Sequence, residues 1–215
     1  MIRCNDGRDF PFQPNTTALL VTDMQRDFLD PGGMAAVEGE PVERLRAVML
    51  NVSEVTRAAR AAGVEVIHTR EGYAADLSDV SAMKAERGSV GAPGPLGRFL
   101  IRGERGHDFH GGFGPAGRRS GYRQARVQCL LPHRPRRAEQ RHGITHLLIC
   151  GITTQCCVHS TLRDAVDRGF YCLTVADACA AFDPEVHEAV LRIIQAESSL
   201  FGWIADTEEV VGSLE

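Results

Sequence analysis

Four short apolar runs constrain this chain most: "ALLVTD" (18–23), "VEVIHTR" (64–70), "HLLIC" (146–150) and "YCLTVAD" (171–177). Runs of this length, bounded by polar residues, read as strands buried on both faces. Helical periodicity fills the gaps. In "PVERLRAVMLNVSEVTRAARAAG" (41–63), Leu45, Val48, Met49, Val52, Val55, Ala59 and Ala62 recur at helical spacing. Pro41 suits the first turn of that helix and Gly63 its C-terminal cap. A second helix is predicted from about Cys157 to Arg168. A third spans "DPEVHEAVLRIIQAES" (183–198), with Asp183 as N-cap and Pro184 at its first position. "FGWIAD" (201–206) predicts a last strand, and "TEEVVGSL" a closing helix.

Strands that alternate with helices require crossover connections. The prediction is an α/β fold: a doubly wound, mostly parallel sheet with helices on both faces, in one domain over residues 1–215. Such sheets bind ligands at the carboxyl ends of their strands. Asp23, Arg70, the 151–157 loop and Asp177 are therefore expected along one edge. The long stretch 72–106, rich in Gly and Pro, reads as a lid or binding loop.

Composition narrows the partners. A net charge of −4 argues against nucleic acid. No apolar run reaches the roughly 18–20 residues that span a bilayer, so no membrane role is expected. The opening "MIRCNDGRDFPFQP" lacks the apolar core of a signal peptide, which predicts a cytoplasmic protein. Seven cysteines, an odd number with no C-x-x-C pair, argue against a disulfide framework and against structural zinc.

Two of those cysteines adjoin in "GITTQCCVHSTLRDAVDRGF" (151–170), where a strand gives way to a helix. A helix N-terminus lowers a thiol pKa, because its backbone N–H groups favour negative charge. The same groups can hold an oxyanion. An acid on a neighbouring strand, such as Asp23, can take the thiol proton and pass it to a leaving amine. Spacing alone serves equally well for a pair of packing cysteines at a strand–helix junction.

Four separated motifs go further. "LLVTDMQRDFLDPGG", "VIHTREGY", "GAPGPLGRFLIRGERGHDF" and "GITTQCCVHSTLRDAVDRGF…VADACAAFDPEVHEAVL" together resemble the isochorismatase-like cysteine hydrolases, and within them the biuret and ureide amidohydrolases. The resemblance implies a doubly wound sheet and hydrolysis of C–N bonds by a Cys–Asp–Lys triad through an acyl-enzyme. It places the acid on Asp23 and the nucleophile on Cys157, the cysteine directly before a valine. It implies a non-proline cis peptide at Ile152–Thr153, with the Thr153 N–H beside that of Cys157 in the oxyanion hole. Relatives form dimers or tetramers, so a homo-oligomer is expected. The Asp-x-His-x-x-His metal motif of the nicotinamidase branch has no counterpart, and His68 stands alone. Neither a metal nor a cofactor is therefore expected.

A small polar substrate needs a partner on each polar face. The candidates are Arg70, Glu71, Gln155 and Glu197, with Phe28 and Phe201 as walls. The leading expectation is an amidohydrolase acting on a small ureide or carbamoyl amide. A metal-free, nicotinamidase-like hydrolase and a non-catalytic family member are the alternatives.

The implied lysine is missing. The chain has one lysine, Lys84, in the polar run "SAMKAERGS", which predicts a solvated surface position. Where the family carries its lysine stands "FHGGFGPAGRRSGYRQARVQCLLPHRPRR" (109–137), with seven arginines and no acid. The string "GYRQARVQCLLPHRPR" (121–136) can be back-translated so that a shift of one base yields Val-Ile-Asp-Lys-Pro-Gly-Phe-Ser-Ala-Phe-Tyr-Arg-Thr-Asp-Leu, the family motif. The lysine codon then straddles Gln124 and Ala125. Residues 109–137 are accordingly read as a frame-shifted segment that disturbs the sheet and impairs the enzyme. Arg123 and Arg126 are poor substitutes, since a rigid fork does not copy a compact ammonium.

Overall fold

The computed structural model describes residues 1–115 and 143–215. The chain opens with a short antiparallel pair, β1 (Ile2–Arg3) and β2 (Asp9–Phe10), and then enters the central sheet at β3 (Thr17–Thr22). All six residues of β3 are buried, and its centre, residues 18–21, is accordingly an unbroken apolar run between Thr17 and Thr22. Three short helices follow: α1 (Arg26–Leu29), α2 (Met34–Val37) and α3 (Val42–Arg46). The longer α4 (Met49–Ala61) leads to β4 (Glu65–His68).

The expected helix over 41–63 is thus divided at Ala47–Val48. Helix α4 lies along the sheet and buries Val52, Val55 and Ala59. Helix α3 turns to pack on α1, where Arg46 donates to the Leu29 carbonyl at 2.9 Å. Two docking directions compete for one continuous apolar stripe, and the bend satisfies both.

The segment 72–106 is more ordered than a bare loop. It contains α5 (Ala82–Arg87) and a tight hairpin of β5 (Pro93–Gly94) and β6 (Gly97–Arg98). Tyr73, Leu100 and Ile101 form a small separate core, with Phe28 and Phe99 packed against it. Buried Asp27 ties this lid to the domain. Its carboxylate accepts from the Leu100 N–H at 3.0 Å, and its own N–H donates to the Gly106 carbonyl at 2.9 Å. Gly106 must be glycine, because a Cβ there would fall 2.0 Å from an Asp27 oxygen.

The remaining strands are β7 (His146–Ile152), β8 (Tyr171–Ala180) and β9 (Trp203–Ala205). They are joined by α6 (His159–Asp167) and α7 (Pro184–Ser199), and α8 (Thr207–Leu214) closes the chain. The sheet order is β4-β3-β7-β8-β9, and every neighbouring pair is parallel. The chain runs outward from β3 to β4, then resumes on the other side of β3 at β7. That reversal places a topological switch point between the carboxyl ends of β3 and β7, where open α/β sheets bind ligands. Helix α4 packs with α8, while α6 and α7 gather around the turn after β7.

Asp177 departs from expectation. Strand β8 continues past it to Ala180, so it lies within the strand rather than at its end. Its carboxylate accepts from the Thr207 N–H at 2.8 Å and the Thr207 hydroxyl at 2.7 Å, capping the start of α8. Asn51 of α4 donates to it as well. The residue is a junction of three elements and does not join the site. Residues 109–115 are described, but most of the predicted frame-shifted segment, 116–137, lies outside the described residues.

Candidate active site

The two strand ends at the switch point bring three reactive side chains together. One ligating atom from each of Asp23, Glu71 and Cys157 lies within 4.8 Å of the other two, and all three residues are buried. Asp23 directly follows β3, Glu71 follows β4, and Cys157 sits in a single π-helical turn, Thr154–Val158, that links β7 to α6.

Backbone constraints hold these ends in register. Asp23 has φ of 48°, in the left-handed region that Asp tolerates better than most residues. Gly151, with φ of 112°, lets β7 pass close to β3; a Cβ there would lie 2.2 Å from the Thr22 carbonyl oxygen. The Ile152–Thr153 peptide is cis, as the resemblance implied. Gln25 locks the β4 end from below: its amide oxygen accepts from the Glu71 N–H at 2.8 Å. Its amide nitrogen donates to the carbonyls of Glu71, at 3.0 Å, and His107, at 3.1 Å.

Asp23 is fully buried. The Thr69 hydroxyl donates to its Oδ1 at 2.6 Å, while Oδ2 has no hydrogen-bond partner among the described residues. Burial pushes its pKa from 3.8 up to about 7, against the pull of Thr69 and Cys157. A carboxyl poised near neutrality, with one bare oxygen, is suited to take and return a proton at neutral pH.

The expectation of a lowered thiol pKa at residue 157 is reversed. Cys157 is 4% exposed. A hydrogen bond with Cys156, burial and the negative charges of Asp23 and Glu71 together hold the Cys157 thiol well above its ordinary value. Cys157 lies within the π-turn ahead of α6, which begins at His159, and there burial and its neighbours outweigh any favour from the helix end. The resting sulfur is therefore a thiol. It requires a base, and Asp23 is beside it.

Lys84 also departs from its predicted surface position. Its ammonium donates to Glu71 Oε1 at 2.5 Å and to the Tyr73 hydroxyl, with its side chain 23% exposed. Tyr73 donates to the same Glu71 oxygen at 2.7 Å. Two carboxylates and a thiol at this spacing call for a cation, and the ammonium of Lys84 supplies one.

The other predicted residues have these surroundings. Arg70 donates to Asp108 at 3.1 Å, and its guanidinium stacks 4.6 Å from the centre of the Phe109 ring. Phe28 meets Phe99 edge-on within the lid core. Gln155 is exposed at the surface of the π-turn. Glu197 is exposed, in a left-handed conformation where α7 unwinds. Phe201 lies under the Arg163 guanidinium at 3.7 Å. Thr153 is buried at the start of the π-turn. His68 packs edge-on to Phe109, faces Arg60 at 3.1 Å, and is pushed down to about 4 by burial, as befits a neutral core histidine.

Sequence reasoning missed Thr69, Gln25, Tyr73 and Lys84. Only Thr69 and Tyr73 left a trace, as polar residues flanking the end of an apolar run.

Known proteins are similar to this chain in sequence and fold. A model of the isochorismatase domain matches residues 17–209. The ureidoacrylate amidohydrolase RutB of Serratia proteamaculans (strain 568) is 30% identical over 223 residues, covering 94% of this chain and 84% of that protein. A cysteine hydrolase from Pseudomonas syringae pv. phaseolicola 1448A superimposes with a TM-score of 0.80 at 24% identity, covering 96% of this chain and 95% of that one. An isochorismatase family protein from Desulfovibrio vulgaris subsp. vulgaris str. Hildenborough gives 0.76 at 26% identity, with coverage of 93% and 98%. The domain match takes in all five strands of the central sheet and all three clustered side chains, and on that ground the chain belongs to the isochorismatase family.

Proposed function

We propose that this protein is a cysteine-dependent amidohydrolase that cleaves a C–N bond of a small ureide or carbamoyl amide through an acyl-enzyme. The observation that carries this reading is the buried Asp23 carboxyl of pKa about 7, with Oδ2 unpaired by geometry among the described residues, beside the Cys157 thiol. The name of the Serratia relative supplies the substrate class.

In the first half-reaction the Cys157 proton moves to Asp23 as the sulfur attacks the substrate carbonyl carbon. The carbonyl electron pair becomes an oxyanion, which we assign to the backbone N–H groups of Thr153 and Cys157. Collapse of this intermediate breaks the C–N bond, and Asp23 returns the proton to the departing nitrogen. A thioester and ammonia, or an amine, result. Water then attacks the thioester carbonyl and gives its proton to Asp23. The second collapse releases the acid and restores the thiol.

The segment that would carry the family's lysine reads otherwise here, and we propose that the frame-shifted residues 109–137 lower turnover. We also assign the protein to the cytoplasm, as a homo-oligomer. Six free cysteines among the described residues accord with a reducing compartment. No helix among those residues is long and apolar enough to cross a membrane.

The test is ammonia release from a panel containing ureidoacrylate, biuret, an N-carbamoyl amino acid and nicotinamide. Wild type is expected to favour a ureide or carbamoyl compound, and Cys157→Ser to lose about three or more powers of ten in kcat. Equal release by the two proteins defeats the covalent mechanism.

A further inference from the structure

Helix α5 is exposed along its length except at one residue, Lys84, whose side chain turns inward to Glu71 and Tyr73. We propose that Lys84 is the positioning cation of the site: delivered by the lid, its ammonium neutralises Glu71, so that Asp23 alone takes the Cys157 proton and the thiolate that forms does not face an unbalanced carboxylate. The proposal rests on Cys157 as the nucleophile.

Charge accounting leads there. Asp23, Glu71 and Cys157 converge within 4.8 Å, and all three are buried, where charges are screened less than at the surface. Moving the thiol proton to Asp23 leaves sulfur negative and Glu71 negative. In a buried setting two such charges repel strongly, and one must be balanced or protonated. Lys84 meets Glu71 at 2.5 Å and so leaves one net negative charge to share between Asp23 and sulfur. Its influence extends to Asp23, whose proton affinity it lowers, and to Cys156. Among the described residues, the other groups facing the cluster are Thr69 and Tyr73 from the β4 end, with Asp79 acting on Tyr73, and Cys156 from the π-turn. His159, Arg163, Asp164 and Asp167 of α6 line, with Lys84, a cleft of about 730 Å³ between α5 and α6.

A mere clasp for the lid would be redundant. The lid is already held to the domain by Asp27 on Leu100 and Gly106, with Gln25 on His107 just beyond it, and it is braced internally by Tyr73 paired with Leu100 and Arg102 and by Arg102 on Asp79 at 2.8 Å. A clasp needs a hydrogen-bond donor, whereas a balancing group needs charge. Lys84→Gln separates the two, because it keeps the donor and removes the charge.

The experiment is the rate of iodoacetamide labelling of Cys157 against pH, read on its peptide by mass spectrometry so that Cys156 is counted separately. Lys84→Gln is expected to shift the profile to higher pH and to slow labelling at pH 7 about tenfold or more. Lys84→Arg, which keeps the charge, is expected to stay within about threefold of wild type. Profiles for wild type and Lys84→Gln that superimpose overturn the proposal. If Lys84→Gln unfolds, rapid labelling of the buried Cys150 reveals it. The decision then passes to the folded wild type, where Lys84 is the single lysine. Amidination with methyl acetimidate keeps its charge and is expected to preserve the profile. Acetylation with N-hydroxysuccinimidyl acetate removes the charge and is expected to shift the profile, and no shift on acetylation overturns the proposal. The labelling needs no substrate. A chain that hydrolyses no ureide refutes the proposed reaction while leaving the role of Lys84 to stand or fall on these profiles.

Discussion

Removing one hydroxyl tests whether Asp23 is tuned as a base. Thr69→Val keeps the shape of a fully buried side chain and deletes the oxygen that donates to Asp23 Oδ1 at 2.6 Å. It also deletes the weaker acceptor of the Asp23 N–H, at 3.3 Å. A hydrogen bond to a charged group contributes about 1.5–3 kcal/mol, and about 1.4 kcal/mol corresponds to one pKa unit. The Asp23 pKa, about 7 in the native site, is then expected near about 8–9. Only the ionised carboxylate accepts the thiol proton, so the acid limb of kcat/KM against pH moves up by about one to two units. At pH 7 the rate falls roughly 5- to 50-fold, and it recovers as the pH is raised. The assay is ammonia release from the best ureide of the panel, between pH 5 and 10. The position of the limb does not depend on how much enzyme is folded, so a modest loss of stability does not imitate the effect. An acid limb that stays in place, or moves down, refutes the assignment of Asp23 as the base whose protonation limits the reaction.

Three further outcomes follow from the same geometry. Asp23 holds its proton more tightly in the fold than in the open chain, so between about pH 4 and about 7 the folded protein binds more protons and stability falls as pH rises through that window. Asp23→Asn is expected to flatten that fall and to raise stability at pH 8 by up to about 4 kcal/mol, read from urea midpoints; a loss of stability at pH 8 contradicts it. Gly151→Ala would drive a Cβ to 2.2 Å from the Thr22 carbonyl oxygen at a positive φ, and a loss of about 3 kcal/mol in the same titration is expected, against no more than about 0.5 if β3 and β7 can part. Sequencing of the gene across codons 109–137 is expected to reveal the shifted frame. A chain translated in the other frame there is expected to exceed this chain in kcat by an order of magnitude or more, and parity would show the segment to be neutral.

The sheet was legible because burial on both faces demands uninterrupted apolar runs, and "ALLV", "HLLIC" and "YCLTV" are such runs. The places of Asp23 and Glu71 followed from strand ends. What stayed hidden depended on contacts between segments far apart in the chain. The bend between α3 and α4 follows from α1 and the sheet competing for one stripe. Asp177 looked like a strand end because nothing local announces that β8 runs on to Ala180. Cys157 looked like a thiol eased by a helix N-terminus, and its burial beside Cys156, Asp23 and Glu71 reverses that. Lys84 sits in a run as polar as any surface helix. Its inward turn is set by a lid docked through Asp27 and Gln25, which stand more than fifty residues away in the sequence.

The division between scaffold and lid bears on how the site works. The rigid sheet supplies the proton acceptor and the sulfur, both from strand ends that the β3–β7 register fixes within 4.8 Å. It supplies the sulfur as a thiol and the carboxyl poised between its two forms near neutral pH, since burial raises the proton affinity of each. The cation comes from an exposed helix of the lid. Displacement of α5 would carry the ammonium away from Glu71, and the cost of ionising the sulfur would rise with the loss of that charge. On the proposed roles of Cys157 and Lys84, a docked lid balances the charge of the nascent thiolate, and an undocked one removes that balance. The same reasoning explains why a buried, high-pKa cysteine can be a nucleophile, because its ionisation is completed at the moment of attack and not before.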